Sequence, residues 1–265
     1  MRALWTGATG MKSQQTNIDV ISNNLANINT TGYKRQKAEF KDLLYANLRG
    51  ANVNEGGEAV PNGLEVGHGV RPSSISRFFT QGSLEQTNNP FDLALEGRGF
   101  FGISSPDGEQ LYTRDGSFKY SAEGAVNRLV TANGYSVMDE NNNPIFIPGE
   151  LREIVVQENG LIQGINEAGE QIDIATLKLV DFINPEGLEA LGGNTYGATV
   201  ASGGEAAVQA GAQGLSVRQS FLEASNVQAV DEMVRMITAQ RAYETSSKAV
   251  QTSDEMMGIA NNMRR

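Results

Sequence analysis

Few residues in this chain have the types and spacing that catalysis needs. The single histidine lies in the run Gly67-His68-Gly69, and there is no cysteine. A lone loop histidine is more often a surface residue than a general base, and without cysteine there are no thiolate ligands or disulfides. Gly97-Arg98-Gly99 has the composition of a nucleotide loop, but two phenylalanines follow it and open a strand instead of a phosphate-binding helix. We therefore expect no catalytic site and no cofactor.

The segment that ends at Glu150 has the donor spacing of a calcium loop. Asp139, Asn141 and Asn143 fall at positions 1, 3 and 5 of such a loop, and Glu150 falls at position 12, where a bidentate carboxylate belongs. Position 6 is Pro144 instead of the glycine that makes the sharp turn, and strand-like apolar runs flank the segment. A polar hairpin loop is the better interpretation, so we expect no metal.

The acidity of the chain is concentrated in its middle. Residues 1–50 hold seven Lys/Arg and three Asp/Glu, residues 51–220 hold nine and twenty-two, and residues 221–265 hold five and six. An acidic middle argues against nucleic-acid binding, which requires a basic surface. No stretch approaches the ~18 consecutive apolar residues of a membrane span. The N-terminus also lacks the apolar core of a cleavable signal peptide, so export would need another route.

Both ends of the chain carry heptad patterns typical of helices that pack on other helices. In the N-terminal seam, Ile21 and Ile28 follow three positions after two of the seam residues, and in the C-terminal seam a small residue follows three positions after each. Two single seams at opposite ends of a chain most simply pair with each other. The seams are Leu4, Met11, Ile18 and Leu25 at one end and Met236, Tyr243, Val250 and Met257 at the other, with small residues at Ala239, Ser246, Ser253 and Ala260.

The seams could form the internal core of a monomer, as most apolar stripes do. Three features favour burial between molecules instead. A helix from Ala229 to Asn262 would be ~50 Å long, more than a β-domain of this size can cover. The first 33 residues carry only three charged side chains, Arg2, Lys12 and Asp19. The small residues of the C-terminal seam also permit a second helix to approach closely.

The ends of the two helices can also be predicted. We predict the first helix from Ala3 to Asn27, broken or frayed at Gly7 and Gly10 because glycine weakens a helix. For the last helix we predict Ser225 as the N-cap residue, with its body from Ala229 to Asn262.

Residues 66–214 have the pattern of short strands separated by turns. Asp107-Gly108, Asp115-Gly116, Asn133-Gly134 and Asn159-Gly160 are typical of type I′ hairpin turns. No helical pattern lies between the runs, which indicates antiparallel strands and not βαβ units. The predicted fold is therefore mainly β with α-helical termini, in which the terminal helices pair as a coiled-coil-like domain around a central antiparallel β-domain. The predicted strands are 100–103, 111–113, 129–131, 154–156, 161–162 and 172–180.

Several motifs resemble a known family. Ile21-Ser22-Asn23-Asn24-Leu25-Ala26-Asn27, with Thr30-Thr31-Gly32-Tyr33-Lys34 after it, resembles the N-terminal signature of bacterial flagellar rod and hook proteins. Gln240-Arg241-Ala242-Tyr243-Glu244 resembles their C-terminal signature. Gly99-Phe100-Phe101 and Tyr112-Thr113-Arg114-Asp115-Gly116-Ser117-Phe118 fit the central domain. The resemblance covers essentially the whole chain.

Within this family the resemblance is closest to subunits of the distal rod. It extends over residues 36–45, Gly69-Val70-Arg71-Pro72 and residues 81–87. Hook proteins are usually longer, and proximal rod proteins generally lack an excursion like the one near residues 46–63, which the family associates with keeping the rod straight. A proximal rod or hook-type axial subunit is the alternative within the family.

The resemblance implies a structural subunit without enzymatic activity. It polymerises through its terminal helices into the tube that carries motor torque across the periplasm to the hook, and it is exported without a cleavable signal peptide. The implied partners are further copies of the chain, proximal rod proteins, hook protein, envelope ring proteins and the flagellar export apparatus, with no nucleic acid and no membrane insertion.

The resemblance also implies a domain division and an interface. Residues 1–32 and 222–265 form the terminal polymerisation domain, residues 33–75 a connecting segment with a straightening loop near 46–63, and residues 76–221 the outer β-rich domain. The predicted polymerisation interface comprises Leu4, Met11, Ile18, Asn23, Asn24, Leu25, Asn27, Ile28, Met236, Tyr243, Val250 and Met257.

Two hypotheses from other classes stay open. The acidic, turn-rich middle could bind a ligand or a carbohydrate as a β-domain on a helical stalk. It could also act on cell-wall polymer, which requires a pair of carboxylates in a cleft, and the sequence gives no reason to choose two.

Overall fold

The computed structural model describes residues 2–49, 63–123, 126–149, 151, 153–166, 169–209, 211 and 214–263. The chain divides into two compact units. The terminal unit comprises Met1–Ala26, Gln36–Arg77 and Gln228–Arg265, and the central unit comprises Asn27–Arg35 and Phe78–Val227.

Two long helices enclose a series of short strands in the chain order. Every strand pair among the described residues is antiparallel, which confirms the predicted fold class. The helices are α1 (Arg2–Ala26) and α2 (Ala229–Asn262), and the strands are β1 (Gln36–Asp42), β2 (Tyr45–Arg49), β3 (Leu64–Gly67), β4 (Val70–Arg77), β5 (Leu84–Gln86), β6 (Leu93–Glu96), β7 (Phe100–Ser104), β8 (Gln110–Thr113), β9 (Lys119–Glu123), β10 (Val126–Val130), β11 (Ser136–Val137), β12 (Phe146–Pro148), β13 (Glu153–Val156), β14 (Leu161–Ile165), β15 (Gln171–Thr176), β16 (Leu179–Asp181), β17 (Glu189–Gly192), β18 (Thr195–Gly197), β19 (Ala206–Ala207), β20 (Ser216–Gln219) and β21 (Phe221–Glu223).

In the terminal unit α1 packs along α2 and against β1 and β4. α1 is continuous, so the predicted break at Gly7 and Gly10 is wrong. A Cβ atom at Gly7 would lie 2.6 Å from Val250 Cγ2, and one at Gly10 would lie 3.3 Å from Ser246 Oγ. The two glycines are therefore positions of close helix approach, and the packing of α2 against them offsets their low helix propensity.

The start of α2 differs from the predicted cap. The N-cap residue is Gln228, which makes no side-chain cap hydrogen bond. Ser225 accepts the Val227 N–H at 3.3 Å instead. Its neighbour Asn226 accepts the Arg35 N–H at 2.7 Å and donates to the Phe78 carbonyl at 2.8 Å, so this stretch bridges backbone segments of the central unit and cannot begin the helix.

Two β-ribbons complete the terminal unit. β1 pairs with β4, with a bulge between Glu39 and Phe40, and β2 pairs with β3. The described part of the predicted connecting segment, residues 33–75, is therefore mostly extended. Most of the predicted loop near 46–63, residues 50–62, lies outside the described residues.

The central unit is built on a ten-stranded sheet among the described residues. Its main path runs β12-β10-β11-β7-β8-β18-β17, with β9, β16 and β19 paired off this path. β13, β14 and β15 form a separate meander, and β6 pairs with β20 and β5 with β21. The core is apolar and includes Phe101, Ile103, Val137 and Leu179, each at most 3% exposed.

The hairpin turns of the central unit use one recurring geometry. At Gly108, Gly134 and Gly160 the glycine has a φ of 82–83° and its N–H donates to the carbonyl three residues earlier. The residue before each glycine does not have a positive φ. These are type I turns followed by a left-handed glycine, so the hairpins are confirmed but the predicted type I′ geometry is wrong. Asp115-Gly116 is not a hairpin turn, because the Gly116 carbonyl accepts the Leu93 N–H from another strand.

Candidate functional site

The described residues that were considered for catalysis or metal binding lie in turns between strands. His68 lies between β3 and β4, and its buried Nδ1 has no hydrogen-bond partner among the described residues. Asp139 accepts the N–H groups of Asn141 and Asn143 at 2.9 and 2.7 Å, which confirms a polar hairpin turn, whereas Glu150 lies outside the described residues. Within the described chain, no group of three or more potential ligand side chains could hold a metal ion.

The pairing of α1 with α2 is the feature that both seams predicted. Gly7 faces Val250, Gly10 faces Ser246, and Asn24 hydrogen-bonds to Glu232 at 3.1 Å. In these contacts the residue numbers of α1 rise as those of α2 fall, so the two helices are antiparallel. This register places Arg2 opposite residue 254, so that residues 255–263 extend beyond the described start of α1.

Asn24 connects three elements of the terminal unit. It is 1% exposed, and its side chain donates to the Gln36 carbonyl at 2.8 Å and accepts the Gln36 N–H at 2.9 Å. The side-chain amide thus hydrogen-bonds to both backbone groups of Gln36, the first residue of β1, as a neighbouring strand would. The same Nδ2 donates to Glu232 on α2, which is itself 1% exposed. Asn24 therefore holds α1, α2 and β1 together.

Asn24→Ala is expected to loosen the terminal unit by about 1–3 kcal/mol, because it removes the buried amide that hydrogen-bonds to the Gln36 backbone and to the Glu232 carboxylate. Hydrogen exchange of the full-length chain should show amides of α1 and β1 exchanging about 5- to 150-fold faster. Gln15→Ala is the matched control, because Gln15 is an exposed residue of the same helix. Equal rates in the two variants would contradict the bridging role.

Ten of the twelve predicted interface residues lie on α1 or α2, whereas Asn27 and Ile28 follow the end of α1 and belong to the central unit, and only Asn24 is buried. Leu4, Met11, Ile18 and Leu25 are each only partly buried after α1 has packed on α2. In the C-terminal seam Tyr243 is 39% exposed. The remaining predicted residues are partly buried or exposed: Asn23, Asn27, Ile28, Met236, Val250 and Met257.

The structure also reveals an exposed apolar face on α2 that the seam analysis missed. Val230, Met233, Val234 and Ile237 are 47–69% exposed, and their 3–4 spacing places them on one side of the helix. The extension past α1 adds Met256, Ile259 and Met263, which are 58–78% exposed. The spacing of residues 230–237 was readable from the sequence. The prediction followed the more regular heptad that includes Met236 and so did not include this face.

The central unit contains a buried ionic cluster around Glu223. The Lys34 Nζ lies 2.6 Å from Glu223 Oε1 and the Arg114 Nη1 lies 3.2 Å from Oε2. All three side chains are at most 2% exposed. The Gly82 N–H donates to Glu223 Oε1 at 2.9 Å, and Arg114 donates to the Gly97 carbonyl at 2.7 Å.

Burial dominates the electrostatics of this cluster. It lowers the pKa of Lys34, and the charge of Glu223 opposes that effect while Arg114 adds to it. Burial also lowers the pKa of Arg114, against the opposing charge of Glu223. The Glu223 carboxylate therefore offsets both buried cations, and Asp181 adds a smaller opposing charge at Arg114. Lys34 ends the Thr-Thr-Gly-Tyr-Lys motif, which shows that the motif anchors the chain at this point.

Three family profiles match successive parts of the chain. The profile "Flagella basal body rod protein" matches residues 4–34, "Flagellar hook protein FlgE/F/G D1 domain" matches residues 94–164, and "Flagellar basal body rod FlgEFG protein C-terminal" matches residues 218–263. The first and third profiles fall on the two ends of the chain, which contain α1 and α2. Over the described residues, no helix has a stretch that is both long and apolar enough to span a membrane.

Relatives that match this chain over their full length are described as flagellar proteins. The chain is 46% identical to the flagellar basal-body rod protein FlgG of Borreliella burgdorferi over 100% of this chain and 99% of that protein. It is 41% identical to FlgG of Caulobacter vibrioides over the whole of both chains, and 33% identical to the flagellar hook-basal body complex protein FlhP of Bacillus subtilis, also over the whole of both. This chain therefore belongs to the flagellar basal-body rod protein family and is a structural rod subunit of the bacterial flagellum.

Proposed function

We propose that this chain polymerises through its terminal unit into the tubular distal rod, which transmits motor torque across the periplasm to the hook. The observation that carries the proposal is the helix pair. After α1 and α2 have packed on each other, apolar side chains still cover the far side of α2 and its extension past α1. Exposed apolar surface of this kind marks a protein interaction site.

The predicted interface residues take two roles in this proposal. The partly buried seam residues, such as Leu4, Met11 and Val250, contact neighbouring subunits with the side that the intramolecular pair leaves uncovered. Asn24 acts indirectly, because it is buried within one chain and fixes the angle between α1, α2 and β1. Residues 1–32 and 222–265 then serve polymerisation, residues 33–75 connect and straighten, and residues 76–221 form the outer part.

The proposal includes the partners and route that the family resemblance implies. The chain contacts further copies of itself along the rod, proximal rod proteins at one end and hook protein at the other, and envelope ring proteins around it. It reaches the rod through the flagellar export apparatus without a cleavable signal, and it carries out no enzymatic reaction. Relatives described as rod proteins over their full length support this proposal.

Electron microscopy of the purified full-length chain at rising concentration tests the proposal. Tubes that lengthen with concentration are expected, because head-to-tail contacts that do not close on themselves produce helical polymers. Sedimentation of the same samples gives the critical concentration. Discrete oligomers of fixed size at every concentration would contradict the proposal and favour a binding domain on a helical stalk.

A further inference from the structure

The sulfur atoms of this chain belong to methionine and are concentrated near its C-terminus. The chain has eight methionines and no cysteine, so thioethers are its only sulfur groups. Four of the eight lie on α2, and a fifth directly follows that helix. An oxidant that attacks sulfur therefore acts mainly on the terminal unit. The five residues are Met233, Met236, Met256, Met257 and Met263.

The methionines differ strongly in their exposure. Met233, Met256 and Met263 are 47%, 58% and 78% exposed. Met138, which belongs to the central unit, is only 4% exposed. A peroxide must reach the thioether sulfur to oxidise it, so the exposed methionines should react first. Met138 then serves as an internal reference for a methionine that the fold protects.

Each exposed methionine belongs to an apolar surface. Met233 lies four positions before Ile237, which is 50% exposed, so the two share one side of α2. Met256 and Met263 lie three positions before and four positions after Ile259, which is 60% exposed. The second group also shares one side of the helix, on the part of α2 that extends past α1. Both surfaces therefore contain a sulfur atom among apolar side chains.

Oxidation would make these surfaces polar. A sulfoxide carries an acceptor oxygen that the apolar thioether lacks. The backbone N–H groups inside α2 already donate to carbonyls of the same helix, so α2 offers this oxygen no backbone donor. Water hydrates the oxygen in the free subunit, whereas burial against an apolar surface leaves it without a partner. The free subunit thus tolerates the sulfoxide, and an apolar contact does not.

We propose that Met233, Met256 and Met263 are a modification site at which a hydroperoxide converts the free subunit into a form that does not polymerise. The proposal rests on the proposed polymerisation and adds its regulation. The thioether sulfur attacks one peroxide oxygen, an S–O bond forms, the O–O bond breaks, and a proton transfer releases water or an alcohol. Sulfur loses two electrons, which reduce the peroxide. A sulfoxide reductase with a thiol reductant reverses the change.

Peroxide treatment of the free full-length chain tests this proposal. The chain is incubated with hydrogen peroxide, the excess is removed with catalase, and sedimentation gives the critical concentration. Oxidation should raise the critical concentration about tenfold or more, because each sulfoxide would have to be buried. Mass spectrometry of peptides should show oxygen added at the three exposed methionines about tenfold faster than at Met138. Treatment with a methionine sulfoxide reductase should restore assembly.

A triple leucine variant is the resistant control. It carries Met233→Leu, Met256→Leu and Met263→Leu, and leucine has nearly the volume of methionine but no sulfur. This chain should polymerise within about threefold of the unaltered critical concentration both before and after peroxide treatment. Met138→Leu is the matched sensitive control, because it removes a protected methionine and leaves the three exposed ones in place.

The outcomes separate this proposal from the proposed function. An unchanged critical concentration after oxidation at all three positions would overturn the proposal and leave polymerisation intact. An equal loss of assembly in the treated leucine variant would also overturn it, because the damage would then lie elsewhere. If the leucine variant assembles poorly without peroxide, reversal by the reductase decides, and a chain freed of sulfoxide that still does not assemble would contradict the proposal. Absence of tubes in the untreated, unaltered chain would overturn both.

Discussion

Glu223→Ala is expected to lower the free energy of unfolding of the central unit by about 3–5 kcal/mol. The substitution removes the one carboxylate that contacts both Lys34 Nζ at 2.6 Å and Arg114 Nη1 at 3.2 Å. Both cations would stay buried without the carboxylate that contacts them, and the Gly82 N–H would lose its acceptor. Urea unfolding of the full-length chain, followed by the signal of its β-structure, gives the change.

Glu96→Ala is the matched control for this prediction. Glu96 also pairs with an arginine, Arg218, at 2.8 Å, but both side chains are 47% exposed. An exposed ion pair contributes only about 0–1 kcal/mol, because water screens it. Equal effects of the two substitutions would show that burial does not determine the strength of the Glu223 cluster.

Replacing the whole cluster with hydrophobic residues tests whether unpaired charge causes the loss of stability in Glu223→Ala. Replacing all three charged residues together, as Lys34→Met, Arg114→Met and Glu223→Leu, removes the unpaired charges along with the ion pairs. Such replacements of buried ion pairs are often neutral or stabilising. The triple variant should therefore be more stable than Glu223→Ala, and a further loss would instead point to the hydrogen bonds to Thr80 and Gly97.

The parts of the fold that could be predicted are those with a local, periodic signal. The heptads at both ends predicted α1 and α2 and their pairing, because burial of a seam requires a partner of the same period. Asn-Gly and Asp-Gly dipeptides located the hairpins, but they did not distinguish a type I turn with a left-handed glycine from a type I′ turn. The two differ in the φ of the residue before the glycine, as at Asp107, and in the position of the turn's hydrogen bond.

The parts that could not be predicted depend on contacts between distant residues. Lys34 and Arg114 meet Glu223 across 189 and 109 positions of the chain, so no local pattern marks the cluster. Gly7 and Gly10 were predicted to break the helix, because the packing of α2 that offsets their low helix propensity cannot be seen in the local sequence. Asn24 reads as one asparagine in a polar run, since only the approach of Gln36 and Glu232 gives it a buried role.

Val250→Asp is expected to abolish polymerisation at concentrations at least tenfold above those at which the unaltered chain assembles. Val250 Cγ2 lies against Gly7, so close that a Cβ at Gly7 would be 2.6 Å away. An aspartate there brings a carboxylate against the backbone of α1, and no residue on that face of α1 offers it a positive charge between Arg2 and Lys12. Burial of an unpaired charge is costly, so α1 and α2 should separate.

The central unit should not respond to this change. Val250 belongs to the terminal unit, whereas the Glu223 cluster and the ten-stranded sheet belong to the central unit. Distant residues that share no contacts usually act independently. The free energy of unfolding of the central unit, measured with urea, should therefore change by less than about 0.5 kcal/mol. An equal loss of assembly and of central stability would show that the two units do not fold separately.

Gln251→Asp controls for the added charge and for the helix propensity of aspartate. Gln251 is the next residue of α2 and is exposed, so it lies about 100° around the helix from the contact with α1. This variant should form tubes within threefold of the normal critical concentration. Together the two variants distinguish a requirement for the α1–α2 pair from a general sensitivity of α2 to negative charge, because they differ only in the face that receives the carboxylate. If Val250→Asp forms tubes as readily as Gln251→Asp, the helix pair is not what holds the subunits in a polymerising form.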